Sequence, residues 1–173
     1  MITKKTSIKK DSKKKNMIFV VQQHAATSMH YDFRIEYRGK LMSWAVPKGP
    51  STDPSKKQLA MKVGDHPLSY ASFEGVIPQG HYGAGPVIVW DTGTFENQKK
   101  NAISTCEKQG EIIIWLEGEK LKGGYALVKA PLNAKNSWLL IKMKDEYANP
   151  ALIITEQFPK SVISGKTIDE LKS

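Results

Sequence analysis

The 173-residue chain predicts an all-β protein, a barrel or sandwich with few helices. Three observations carry that expectation. Many short runs rich in Val, Ile, Leu, Trp and Tyr are separated by Gly, Pro, Asn and Asp, the pattern of strands joined by tight connections. The run from Met29 to Tyr37 alternates strictly between polar and apolar side chains, and a period of two is that of a half-buried strand. Only residues 97–108 have helical character within the body of the chain, so helices cannot supply the main layers.

Taken in order, residues 17–22 (MIFVVQ) read as a buried strand leading into His24. The alternating strand 29–37 ends at Arg38-Gly39, and residues 41–46 (LMSWAV) make its hairpin partner. Pro47, Pro50 and Pro54 mark a rigid loop, because proline removes donors and fixes φ. Residues 58–63 form the next strand, followed by a polar loop carrying Gly64, Asp65, His66 and Tyr70. The Gly-rich passage 75–85 contains Gly80-x-x-Gly83-x-Gly85 but lacks the Gly-Lys-Ser/Thr ending of a nucleotide-triphosphate loop, so it reads as a tight turn bordering a site. Strands are expected at 86–91, 110–116, 123–128 and 137–142. Near the C-terminus, Thr167 and Glu170 have the spacing of a capping box, which predicts a short helix detached from the barrel. The domain division expected is a tail over 1–16, a body over 17–155 and a C-terminal tail or linker over 156–173.

Composition narrows the class. This length supports one domain with its own core. No apolar run reaches the roughly 20 residues of a membrane-spanning helix, and no secretory signal precedes the domain. A cytoplasmic location is therefore expected, without a membrane partner. The single Cys106 excludes an internal disulfide framework and a Cys-rich zinc cluster. Charge is unevenly placed: residues 1–15 hold seven Lys against Asp11, which is +6 of the net +9. A Lys-rich segment with few apolar anchors is expected to be disordered. It serves either as a salt-sensitive arm for a polyanion or as a solubilising terminus.

The strand 29–37 also carries the chemistry. Every second side chain of a strand points to one face, so His30, Asp32 and Arg34 stand in a row with the aromatic face buried behind them. His24 lies six residues upstream, close enough for the turn to return it over that face. Two His and one Asp form a nitrogen and oxygen donor set suited to Zn or Mn, and an adjacent Arg suits a phosphate. The plain alternative is a surface histidine with an Asp32–Arg34 ion pair. The chain has only two arginines, Arg34 and Arg38, among 24 lysines. A phosphate role for Arg34 is favoured by its bidentate grip. His66 and Tyr70, four apart in a polar loop, could hold or protonate a phosphate oxygen; packing or capping is the alternative. His81 reads as a turn residue.

Several runs together resemble a known family. They are Val20-Val21-Gln22-Gln23-His24, His30-Tyr31-Asp32-Phe33-Arg34, Ser43-Trp44-Ala45-Val46-Pro47-Lys48-Gly49-Pro50 and Asp65-His66-Pro67-Leu68-Ser69-Tyr70. Phe73-Glu74-Gly75-Val76-Ile77-Pro78-Gln79-Gly80, Tyr82-Gly83-Ala84-Gly85, Val87-Ile88-Val89-Trp90-Asp91 and Trp138-Leu139-Leu140-Ile141-Lys142 complete the set. In this order, over residues 17–149, they resemble the 3′-phosphoesterase domain of bacterial and archaeal DNA ligase D. The resemblance implies a small closed or partly open β-barrel with one or two short helices and an active site in a surface groove. It implies an enzyme of non-homologous end joining that removes a 3′-terminal ribonucleoside and then the remaining 3′-phosphate, leaving a 3′-hydroxyl. It further implies His24, His30 and Asp32 as metal ligands, with Mn the expected ion and Zn or Co as alternatives. Arg34, His66 and Tyr70 would hold the scissile phosphate, and Gln22 and Lys48 stand at further motif positions for substrate contacts. Its partners would be nucleic acid 3′ ends and a DNA ligase or polymerase of the end-joining system, in a nucleoid-associated setting. The chain departs from the family in having Gly64 where an acidic residue is frequent and Gln58 where an Arg is frequent. The usual N-terminal Arg-Asp-Phe and Pro-Glu-Pro elements are replaced by the Lys-rich tail. Two other readings stay open: a cyclic-phosphodiesterase-type RNA end processor, and a weakly active adaptor that binds DNA ends and recruits a ligase.

Overall fold

The computed structural model describes residues 16–130 and 135–172; the Lys-rich segment 1–15 lies outside the described residues. Among the described residues nine strands form in chain order: β1 (Met17–Ala25), β2 (Met29–Tyr37), β3 (Lys40–Val46), β4 (Lys57–Pro67), β5 (Gly75–Ile77), β6 (Gly85–Asn97), β7 (Glu111–Gly118), β8 (Lys122–Lys129) and β9 (Ser137–Lys142). A 3-10 turn, Leu68–Ser72, follows β4, and three short helices are α1 (Ile103–Gln109), α2 (Ile154–Gln157) and α3 (Ile168–Lys172). The sheet runs β1-β2-β3-β4-β9-β8-β7-β6, and β1 also pairs with β6. That pairing closes an eight-stranded antiparallel barrel, with β5 added along the first residues of β6. Closure removes the unpaired edges that an open sheet of this length would expose.

Alternation decides what fills the barrel. Phe19, Val21, Phe33, Ile35, Trp44, Trp90, Ile112, Ile114, Leu116, Leu127 and Leu140 are buried in one continuous core. Burying each such side chain contributes about 1.5–3 kcal/mol. Trp44 meets Trp138 edge-on at 5.8 Å, and Tyr31 meets Trp90 in the same way. Helix α1 adds Ile103 and Cys106 to this core, and its Ser104 hydrogen bonds to Tyr37 at the end of β2. Asp91, fully buried on β6, accepts the N–H groups of Glu119, Lys120 and Leu121 and so ties down the β7–β8 turn. Gly118 is required there: a Cβ would lie 2.5 Å from an Asp91 carboxylate oxygen.

The all-β expectation and the buried aromatic face of β2 hold. The expected helix over 97–108 begins only at Ile103. Asn97 accepts the Lys99 N–H and donates to the Asn101 carbonyl, and this side-chain turn displaces the first helical residues. Strand β4 continues through Asp65 and His66, which sequence reasoning placed in a loop.

The C-terminal helix is not detached. Its capping box forms, with Glu170 accepting the Thr167 N–H at 2.8 Å and Thr167 accepting the Glu170 N–H at 3.3 Å. Helix α3 packs against β6, β1 and β5 with Ile168 buried. The Val162 N–H donates to the Val89 carbonyl at 3.0 Å, and Ser161 donates to Glu74. The reason lies outside the barrel, where Val20, Val87 and Val89 share the outward face of β1 and β6 with Gln22 and His24. These valines are fully buried, and the hydrophobic effect favours covering them.

Candidate metal and phosphate site

The register of β1 on β2 sets Gln22 opposite Asp32, His24 opposite His30 and Val20 opposite Arg34. Directly opposed residues share a face, so Gln22, His24, His30, Asp32 and Arg34 converge on the outside of the barrel. His24 is therefore brought in by strand pairing across the hairpin. On β3, Ser43 stands opposite Arg34.

One donor atom each from His24, His30 and Asp32 lies within 4.8 Å of the others. The Gly83 carbonyl lies 2.7 Å from His24 Nε2. A carbonyl can only accept, so the neutral ring carries its proton on Nε2 and turns the Nδ1 lone pair toward Asp32 Oδ2, 3.7 Å away. The Ser28 carbonyl, 3.3 Å from His30 Nδ1, likewise leaves His30 Nε2 facing the same oxygen at 3.1 Å. In these tautomers two imidazole lone pairs and a buried carboxylate converge, and either a proton on His30 Nε2 or a cation between them reconciles the three. Histidine ligands whose other nitrogen donates to a backbone carbonyl are the usual support of a metal centre, so this donor set fits a divalent ion.

The electrostatics agree. Burial pushes the Asp32 carboxyl up, but His24, His30 and the Arg34 charge outweigh it and hold Asp32 well below the usual carboxylate range. The hydrogen bond it makes to the Asp32 carboxylate raises His30, against the opposing effect of burial.

Arg34 borders the donor set, with Nη2 3.4 Å from Asp32 Oδ2. Its Nε donates to Gln22 Oε1 at 2.7 Å, and Nη1 donates to Ser43 Oγ at 2.9 Å and to His66 Nδ1 at 3.1 Å. Three of the five guanidinium N–H groups are hydrogen-bonded in this way, which leaves the two on Nη2, the nitrogen that faces Asp32. Because a guanidinium only donates, neutral His66 keeps its proton on Nε2; the Gly64 carbonyl, 3.3 Å from Nδ1, competes weakly. Burial, then the Arg34 charge, lowers the His66 pKa. The Tyr70 ring lies 5.1 Å from the His66 ring, stacks on Phe73 and faces the Arg34 guanidinium at 5.2 Å. Burial pushes the Tyr70 phenol up, so it remains a donor at neutral pH.

The structure thus brings together His24, His30, Asp32, Arg34, His66 and Tyr70. Gln22 is fully buried, and both ends of its amide are engaged: Oε1 with Arg34, and Nε2 with the Tyr70 and Phe73 carbonyls at 2.9 and 3.1 Å. It ties the arginine to the loop that carries the tyrosine. Lys48 sits exposed in the turn after β3 and is not drawn into the cluster. Sequence reasoning missed Ser43 and the Gly83 carbonyl. The β2–β3 register would have found Ser43, and the Gly-rich passage read as site-bordering does border the site. At the departures, a Cβ on Gly64 would meet nothing within 4 Å, and Gln58 donates to the Gly49 carbonyl at 2.8 Å.

A small antiparallel barrel that presents a His-His-Asp donor set beside a partly committed guanidinium is equipped for phosphoester chemistry. The family model of the DNA ligase D 3′-phosphoesterase domain matches residues 22–129, and the chain belongs to that family. It is 48% identical over 153 residues to the multifunctional non-homologous end joining protein LigD of Pseudomonas aeruginosa, an alignment covering 87% of this chain and 18% of that protein. The corresponding protein of Mycobacterium tuberculosis is 44% identical over 128 residues, covering 74% of this chain and 16% of the relative. That of Mycolicibacterium smegmatis is 42% identical over 132 residues, covering 74% and 17%. The chain therefore spans less than a fifth of the length of these relatives.

Proposed function

We propose that this phosphoesterase domain heals nucleic acid 3′ ends for non-homologous end joining, with a divalent metal, Mn first, held by His24, His30 and Asp32. In this reading it removes a 3′-terminal ribonucleoside, then the 3′-phosphate, and leaves a 3′-hydroxyl. The observation that carries it is the convergence of the three donor atoms within 4.8 Å, next to Arg34. An ion bound there supplies Lewis acidity to a phosphate oxygen and acidifies a water. The remaining steps belong to the chain. Arg34, oriented by Gln22, Ser43 and His66, offers Nη2 to a phosphate oxygen and meets the negative charge that grows in the transition state. His66 Nε2–H and the Tyr70 hydroxyl supply neutral donors. Gln22 holds the Tyr70 loop against Arg34, so the donors keep one spacing through both reactions.

The test is a primer-template ending in one 3′ ribonucleotide, incubated with and without Mn²⁺, with Asp32→Ala as control. Metal-dependent loss of the terminal nucleoside ending in a 3′-hydroxyl supports the full reading. Accumulation of the 3′-phosphate would limit the domain to the nuclease step. Binding of the duplex without cleavage would favour the adaptor.

A further inference from the structure

The loop beside His24 displays an aromatic ring that the fold does not use. Tyr82 is fully exposed, at 103% of its reference area, and no hydrogen bond or ring contact engages its side chain among the described residues. Yet the backbone that carries it is closely held. The His81 N–H donates to the Pro78 carbonyl at 3.2 Å, and the Ala84 N–H to the His81 carbonyl at 3.1 Å. The Gly83 carbonyl, in the same peptide unit as the Ala84 N–H, accepts from His24 Nε2 at 2.7 Å. Gly83 takes φ +76°, and a Cβ there would stand 3.2 Å from the His24 ring. Gly85 seats the other side of the loop so tightly against β1 that a Cβ would strike the Ala25 carbonyl. The Tyr82 Cα is therefore one peptide unit, about 3.8 Å, from a residue that touches a member of the donor set.

We propose that Tyr82 is a stacking platform for a nucleobase flanking the scissile phosphate, on the terminal nucleoside or its 5′ neighbour. The idea rests on the proposed function and adds to it a substrate-recognition element beyond the phosphate. A ring contributes nothing to the core when it is fully exposed, whereas a base can cover either of its faces. Stacking tolerates any base, because every base has a π-face. Such a platform suits an enzyme that must accept whatever sequence a broken end presents. It also explains why this loop is anchored to His24 itself: base and phosphate are then registered by one rigid connection.

The experiment compares wild type, Tyr82→Ala and Tyr82→Trp on the 3′-ribonucleotide primer-template with Mn²⁺. Duplexes carrying 2-aminopurine, or an abasic residue, at the terminal or penultimate position give the second readout. The expected result is a rise in KM of about tenfold or more for Tyr82→Ala, restored by Tyr82→Trp. That difference should vanish when the neighbouring base is removed. 2-Aminopurine emission at one of the two positions should change on binding wild type and not on binding Tyr82→Ala. An equal KM rise on base-bearing and abasic ends would overturn the proposal, since the ring would then act on the loop and not on a base. Emission changes that do not depend on Tyr82 would also overturn it. If wild type cleaves no 3′ end while the emission change still requires Tyr82, the hydrolytic reading fails and the platform stands.

Discussion

Asp32 is the residue on which most of the site's charge depends. Its carboxylate faces His24, His30 and the buried Arg34 guanidinium. Asp32→Ala and His30→Ala are each expected to be nearly inactive on 3′ ends, and normal turnover by either would sink the metal assignment. Asp32→Ala also leaves Arg34 buried without its counter-charge, a change that costs about 3 kcal/mol or more and is read by denaturant unfolding of metal-free protein. His66 carries a pH signature. Burial and Arg34 lower its pKa in the folded state, so below pH about 6.5 the unfolded chain takes up a proton before the native protein does. The stability His66 contributes is thus present above that pH and declines as pH falls through its lower, folded value. Imidazole NMR should place its midpoint below 6.5 in free protein, and inorganic phosphate should move it upward. An unshifted midpoint would argue against the Arg34–His66 contact. Much at this scale was legible beforehand: His30, Asp32 and Arg34 follow from period two alone. Ser43 was not, because its role depends on which residue of the neighbouring strand it faces.

Among the elements, the connection between β4 and β6 has the most to lose. It holds Tyr70 and Phe73, whose carbonyls are gripped by Gln22, and then Glu74, which accepts the Val89 N–H at 2.8 Å and the Ser161 hydroxyl at 2.6 Å. The loop is thereby fastened to β1 on one side and to the C-terminal segment on the other. Glu74→Ala is expected to destabilise the protein by about 1.5–3 kcal/mol, the worth of hydrogen bonds to a charged group. Ser161→Ala should cost less, because the Val89 bond remains. A Glu74→Ala protein with wild-type unfolding behaviour would show that this link is idle. The 3-10 turn and β5 left no trace in the sequence pattern, since five and three residues are too few to establish a period. The late start of α1 was hidden because Asn97 suits a turn as well as it suits a helix N-cap. The C-terminal helix announced itself through its capping box, yet nothing local said where its apolar Ile168 would dock.

For the whole molecule, charge and topology answer different questions. The body outside residues 1–15 is only mildly basic, with 19 basic and 16 acidic residues, while the first fifteen hold seven lysines. Each phosphate contact an arm makes adds about 0.7–0.9 to the slope of log affinity against log salt. Deleting residues 1–15 should weaken duplex binding and flatten that slope, as read by fluorescence anisotropy over a salt series; an unchanged slope would refute a role for the arm in holding nucleic acid. By itself the sequence determined the strand-rich class, the polar face of β2 and the donor types, because alternation, turn residues and residue chemistry are local properties. Only the tertiary structure decided the rest. Barrel closure through β1 and β6, the guanidinium network that reaches His66 and the docking of the C-terminal segment all join residues distant in the chain. Their partners are set by strand register and by which apolar surfaces remain to be covered once the barrel has closed.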